Sequence, residues 1–599
     1  MSAPKAANEP SPHAESRISD PAPGANSGAG FGLVVLAGVF AGAWWATAWV
    51  CDDAFITLRT VDNALNGYGL TWNVDERVQA YTHPLWMVAL LILGGVLGDP
   101  YLASLLLGAL GTVATGTLLV FFVARSRASA ALALAALFAA RAFVDYASSG
   151  LENPMSHALV AALFVLCVRP AQGERDQLWR ASMGCLLLLT RLDLLFAAAP
   201  LMLGAWWRDG LPRPRTLALA ALPLVAWELF SWFYYGAWIA NSALSKLSAG
   251  TPLHDRVAQG GYYLWATVRW DPLGAALLVL GPLLGWRARD PFRVPTVAAV
   301  VGAMAWVVWV GGDFMVGRFL TVPMLLSALL VARLPVSPRR GWGLALAVVI
   351  GVVAVPYLSP FAPREYGGEW HAAIDDRGVA DERRFHQDST ALRAVRAGTG
   401  WRSARELEQA KRALEHYRDD PWLDALTSVG VLDERGAWPL AAETPSSGWR
   451  PVLVKGGVGV FGFRLGPEAI LIDYHGLGDP LLARLPAVPR DPVLARLIPR
   501  LAHLDWRAGH YLRRIPSGYV LSRATGENRL RDPDLRELYD TIDQVVSGPL
   551  FRFDRFRAIA RLNSSWADDR IERYLARLGE GAGESPSSLS GLPGPRGGQ

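Results

Sequence analysis

Cysteine is scarce: 599 residues hold three, Cys51, Cys167 and Cys185. All lie within or beside apolar segments, so no disulfide framework holds the hydrophilic part of the chain together, and that part has to fold on a core of its own. Paired His or Cys at zinc spacing is missing. A Gly-rich phosphate loop or dinucleotide fingerprint in a strand-to-helix setting is missing too, which argues against nucleotide sugars as substrates. Residues 1–30 have neither the basic start nor the small-residue cleavage site of a secretory signal, and Trp49 and Val50 before Cys51 suit lipoprotein processing poorly. The first apolar run is therefore expected to stay attached. Charge is also sparse, at 19% of residues against 52% hydrophobic, and the apolar residues gather in long runs over the first three-fifths. That is the pattern of a polytopic α-helical membrane protein. The formal net charge of +5 comes with Arg in short loops between the runs. The positive-inside rule accounts for it, and no nucleic-acid partner is needed.

Eleven runs are candidate membrane helices: 31–50, 101–124, 130–146, 154–168, 181–190, 194–207, 216–235, 272–285, 295–310, 319–332 and 341–357. The apolar run 85–98 is short and starts at His83 and Pro84. If it crossed, the Arg-rich loops would face outward, so it is expected to lie at the interface. With the N-terminus cytoplasmic, the outer face receives the loop 51–100 with Asp52 and Asp53, the segment SSGLENP, the long loop 236–271, the turn GGDFMVGR and everything after residue 357. Residues 358–580 read as an extracytoplasmic α+β domain, with a helix at 401–417, strands broken by Gly-rich turns at 452–473, and helices at 532–546 and 551–578. Residues 1–30 and 581–599 read as disordered tails.

Asp52 and Asp53 stand where the first apolar run meets water. One Asp would suffice to cap a following helix; two like charges side by side suggest that one is shared with a metal, a proton or a substrate hydroxyl. Glu152 can be an acid at a helix start or an acceptor for a substrate hydroxyl. Arg191 and Asp193 can neutralise each other, and Asp313 and Arg318 can close a turn as a salt bridge. Tyr81, His83 and Trp86 can form an interfacial aromatic belt, the stronger account for Trp86. Asp473, His475, Asp479 and His510 fit a turn with several Gly residues better than a site. Tyr474, Trp506 and Tyr511 are aromatic side chains in the same part of the chain that can serve as recognition surfaces.

Seven short blocks occur in one order: DDAF at Asp52, NGYGLTWN at Asn66, YTHPLW at Tyr81, SGLENP at Ser149, LLTRLD at Leu188, YYGAWIANSALSKLS at Tyr234 and GGDFMVGRFLTVP at Gly311. Together they resemble bacterial GT-C glycosyltransferases, and most of all the terminal β-(1→2) arabinofuranosyltransferases of mycobacterial cell-wall assembly. The likeness runs over 31–357 and more faintly into DYHGLGDPLLAR and RAGH. The chain departs from the usual pattern at Ala240, before Asn241, where Pro is usual, and at His83, where Asn is common.

The resemblance implies a GT-C membrane enzyme with a C-terminal extracytoplasmic α+β domain. It would take a sugar, arabinofuranose or similar, from a polyprenyl-phosphate donor. The sugar would pass to a cell-envelope glycan or lipid-linked acceptor at the outer face of the bacterial inner membrane. The acidic motif of the first external loop falls on Asp52 and Asp53 as catalytic residues. Lys246, Arg318, Arg191 and His83 are expected at the donor phosphate, and Glu152, Asn241, Asp313, Tyr81 and Asp193 at sugar or acceptor hydroxyls. Mg²⁺ or Mn²⁺ held by Asp52 and Asp53 is an open option. Competing readings are a non-catalytic scaffold or regulator of surface structures and a polyprenyl-lipid transporter; the apolar pattern has no inverted repeat to support the transporter.

Overall fold

The computed structural model describes residues 25–355, 357–359, 373–402, 452–488 and 508–581. Of the tails expected at 1–30 and 581–599, residues 1–24 and 582–599 lie outside these, as do Trp506 and all but the first two residues of the helix expected at 401–417; residues 25–30 and 581 are helical instead of disordered. Each of the eleven expected runs is helical. The membrane half is built from α1 (Ala25–Thr47), α2 (Asp52–Leu65), α3 (Pro84–Leu97), α4 (Pro100–Leu118), α5 (Arg127–Ala139), α6 (Arg141–Asp145), α7 (Asn153–Val168) and α8 (Glu174–Thr190). It continues through α9 (Leu195–Asp209), α10 (Pro214–Tyr235), α11 (Asn241–Leu247), α12 (Leu253–Trp270), α13 (Pro272–Arg287), α14 (Arg293–Val310), α15 (Thr321–Ala332) and α16 (Pro338–Ala354).

Length corrects the expected count of spans. Among the described residues three helices are long and apolar enough to cross a membrane: Pro100–Val123, Pro214–Tyr235 and Arg293–Val310. A fourth is added if α1 and α2, bent 80° to each other, are taken as one broken span. Five more apolar helices are shorter, because breaks cut the runs. Ala140 leaves helical geometry and divides α5 from α6, and a 3₁₀ turn at Arg318–Leu320 precedes α15. α15 has 12 residues, about 18 Å of helix, against a hydrocarbon core of about 30 Å. α3, at 14 residues, rises about 21 Å. Gly98, at φ +63°, ends it. Asp99 then caps α4 by accepting from Tyr101 and Leu102 N–H at 3.1 and 3.2 Å, so the two helices form a hairpin. The long loop 236–271 is not a loop: it contains α11 and the 18-residue α12.

The 80° bend after α1 turns α2 across the end of the first helix, where α2 packs against α3, α4 and the helix Gly459–Leu465. Beyond it, β1 (Val452–Lys455) and β2 (Ile470–Asp473) pair in parallel, Val452 opposite Ile470. A parallel pair needs a crossover, and the helix Gly459–Leu465 supplies it. The strands predicted at 452–473 are therefore a β-α-β unit. Helices Tyr519–Thr525, Pro533–Val546, Phe553–Leu562 and Ser565–Gly581 follow.

The expectation of a separate core for this C-terminal part is corrected. Two short strands cannot bury enough surface by themselves, and their core takes in Ile56, Trp72, Val78 and Ala80 from the segment 51–100. Arg59 of α2 ties the halves further, donating to the carbonyls of Trp72 at 2.9 Å and Gly462 at 2.6 Å. The first loop and the C-terminal part are one packed body.

Candidate active site

The adjacent carboxylates of α2 have different surroundings. Asp52 accepts from the backbone N–H of Gly459 at 3.0 Å and of Val460 at 2.8 Å, one on each oxygen. It caps the helix Gly459–Leu465 from outside, satisfying two donors that a helix start leaves without partners. A divalent ion shared with Asp53 would have to compete with both donors. Among the described residues no group of three or more His, Cys, Asp or Glu is arranged to hold a metal ion.

Asp53, with 23% of its side chain exposed, makes no such bond among the described residues, and His510 Nε2 lies 3.8 Å from its Oδ1. Burial raises its pKa to about 7; Asp52 and Glu382 add to the rise, while Arg318 and Lys246 oppose it. A carboxyl poised near neutrality can accept a proton from a hydroxyl and hold it.

Glu152 is the hub of a buried ion cluster. Fully enclosed, it accepts from Arg191 at 2.8 Å and Arg318 at 3.2 Å, and His83 Nδ1 lies 3.3 Å away. Burial alone would raise its pKa, but Arg318, His83 and Arg191 outweigh that and hold it well below the usual carboxylate range. Burial pushes His83 down to about 4, with Arg318 and Arg191 lowering it further against the pull of Glu152. His83 is therefore neutral at pH 7, and its Nε2 hydrogen-bonds Thr57 at 2.8 Å. Arg191 also grips Asp193 at 2.8 Å, and Arg318 lies 3.5 Å from Asp313.

Beside this cluster opens a chamber of about 420 Å³. Arg191, Asp193, Lys246 and Asp313 line it, with an apolar wall that includes Leu188, Phe196, Trp227, Trp306 and Phe319. Lys246 is exposed into it and makes no ion pair within 4.0 Å among the described residues.

The other expected residues serve the frame. Asn241 donates its side-chain amide to the carbonyls of Gly476, Leu477 and Asp479 at 3.0–3.1 Å, pinning α11 to the C-terminal part. Tyr81 is buried and hydrogen-bonds Tyr235 at 2.9 Å. Trp86 belongs to no interfacial belt: it is 1% exposed and donates to Gly150 at 3.1 Å, holding the SGLENP turn. Asp473 and Asp479 organise a turn as anticipated, accepting from Leu477 at 2.7 Å and Leu482 at 2.8 Å.

Two further charged residues line the chamber without having been singled out, Glu228 and Arg256. Glu228 interrupts the apolar run of α10, and an acid inside a membrane helix is itself a signal of a polar cavity. Nothing local marks Arg256.

No family model matches the chain. A terminal β-(1→2)-arabinofuranosyltransferase of Mycobacterium tuberculosis is 28% identical over 525 residues, 75% of this chain and 81% of that protein. One of Corynebacterium glutamicum is 29% identical over 416 residues, 60% of this chain and 58% of the relative. Crystal structures of ArnT from Cupriavidus metallidurans, apo and bound to undecaprenyl phosphate, share 14% identity at a TM-score of 0.40. They cover 87% and 84% of this chain and 92% and 89% of theirs. In sequence, the chain is thus similar over most of its length to proteins that transfer arabinofuranose.

Proposed function

We propose that this protein is a GT-C membrane glycosyltransferase. It moves a sugar, arabinofuranose or a near relative, from a polyprenyl-phosphate donor to an envelope glycan or lipid-linked acceptor at the outer face of the bacterial inner membrane. The observation that carries the reading is the chamber in which Lys246 and Arg191 meet Asp193, Asp313 and an apolar wall. Asp53 lies close enough to feel the charge of Lys246. Similarity to the two arabinofuranosyltransferases supports the sugar class.

In this scheme the apolar wall takes the first isoprene units and Lys246 and Arg191 take the phosphate. Asp193 and Asp313 accept from sugar hydroxyls. Asp53 accepts the proton of the acceptor hydroxyl as its oxygen bonds to the anomeric carbon. The bond from that carbon to the phosphate oxygen breaks, and polyprenyl phosphate leaves with the electron pair. Asp53 does not itself line the chamber but stands behind the segment 508–511 that does, 3.8 Å from His510; Glu152, His83 and Arg318 do not line it either and hold Arg191 and Asp313 in place. Asp52 fixes α2 against the C-terminal part.

The test is to incubate the purified protein with a panel of polyprenyl-phosphate sugars and a lipid-linked acceptor, and to assay free polyprenyl phosphate and glycosylated acceptor. Both products should appear with a pentofuranose donor and vanish in Asp53→Asn. A protein that consumes none of the donors is a scaffold; one that moves the intact lipid across vesicles is a transporter.

A further inference from the structure

The segment 508–511 belongs to the C-terminal part, to which the scheme above gives no chemical role. Ala508, Gly509 and Tyr511 nevertheless line the chamber. Between them His510 places Nε2 at 3.8 Å from Asp53 Oδ1. The ring is 7% exposed. It is held edge-on to Phe314 at 4.2 Å and to His475 at 5.1 Å. Phe314 is itself fixed, its N–H donating to Asp313 at 2.9 Å.

Gly509 sets the approach. It has φ +83°, and a Cβ added there would stand 3.1 Å from Lys246 Cε; a side chain would be both strained and pressed on the lysine. The segment is also anchored to the membrane half. The Arg513 guanidinium donates to the Ser245 carbonyl, and the Ser245 hydroxyl donates to the His475 carbonyl at 2.6 Å. The same short stretch therefore meets both Lys246 and Asp53.

We propose that His510 is a positioning residue for Asp53, delivered by the C-terminal part, so that the reaction centre is complete only while that part is docked on the first external loop. The proposal rests on Asp53 being the base. A carboxylate held only by its own helix rotates; an N–H donor on one oxygen leaves the other aimed at the incoming hydroxyl. Contacts of this kind are commonly long without substrate and tighten in the complex. Misaimed bases lose rate rather than binding.

Three variants test it: His510→Ala, His510→Gln and His510→Asn. A Gln amide can put N–H where Nε2 stands, whereas Asn reaches only toward Nδ1. His510→Ala and His510→Asn should lower kcat by roughly tenfold to a hundredfold with donor KM changed less than about twofold, and His510→Gln should restore most of the loss. Equal kcat in all three, whether high or low, overturns the proposal, because a packing role does not distinguish the two amides. A second measurement needs no turnover: thermal midpoints of detergent-purified wild type, Asp53→Ala, His510→Ala and the double variant. Non-additive shifts support the contact and additive shifts overturn it. A wild type that consumes no donor sinks the glycosyl-transfer reading by itself and leaves this cycle able to decide the contact.

Discussion

Val460 donates its backbone N–H to Asp52 Oδ1 at 2.8 Å, joining the start of α2 to a helix that lies far along the chain. The neighbouring Asp53 carries no such bond and sits 3.8 Å from His510. One peptide step thus separates an acid that holds two backbone N–H groups from the acid proposed as the base.

The two should part company under mutation. Asp53→Asn should abolish transfer, a loss of at least about a hundredfold for a missing general base, with membrane insertion unchanged. Asp52→Ala should cost about 1 kcal/mol of stability as a lost cap, seen as a lower thermal midpoint, while transfer persists in the folded fraction. Equal loss of turnover in both variants, with both fully folded, would return Asp52 to the chemistry.

The pH dependence follows from the same site. Asp53 must be ionised to take a proton, so the rate should climb with pH and level off above about 7. Stability should run the other way. Folding raises this pKa from 3.8 to about 7, so the folded protein binds the proton more tightly than the unfolded chain, and ionisation across that window destabilises it. Asp53→Asn should therefore melt higher than wild type above pH 7, and the advantage should fade as pH falls toward 4. A thermal-shift series over pH, with no difference between the two proteins, would show that Asp53 is not buried in this way.

Glu152 offers a sharper stability test. It accepts from Arg191 and Arg318 at 2.8 and 3.2 Å in a fully buried setting; removing its charge leaves each arginine with one carboxylate, Asp193 or Asp313, and weakens two buried charge-assisted bonds worth about 1.5–3 kcal/mol each. Glu152→Gln should lower the thermal midpoint strongly and at every pH above 5. A midpoint within a degree of wild type would mean that the cluster is solvated.

Local patterns in the sequence carried the helices and the Asp193–Arg191 and Asp313–Arg318 pairs, because each depends on neighbours or on an apolar run. Spans of full length were not legible: a run of apolar residues does not reveal where a 3₁₀ turn or an extended residue such as Ala140 will cut it. The different surroundings of Asp52 and Asp53 were hidden for another reason. They depend on Gly459, Val460 and His510, which reach α2 only through tertiary packing. The role of Asn241 was hidden likewise, since its three acceptor carbonyls belong to the turn after β2.

That shared packing leads to the last expectation. Trp72, fully buried in the C-terminal core, should cost about 3–5 kcal/mol when cut to Ala, and Arg59 loses its carbonyl partner at Trp72 only if the backbone there moves. Because the core of the C-terminal part is completed by Ile56, Trp72, Val78 and Ala80, a chain ending at residue 357 should leave these apolar residues bare. The segment 51–100 should then become sensitive to protease between Leu65 and Tyr81. Co-expressing 358–599 as a separate piece should restore protection if the two halves find each other. A truncated chain whose first loop resists protease as well as the whole protein does would show that the loop folds alone, and the view of loop and C-terminal part as one body would have to be abandoned.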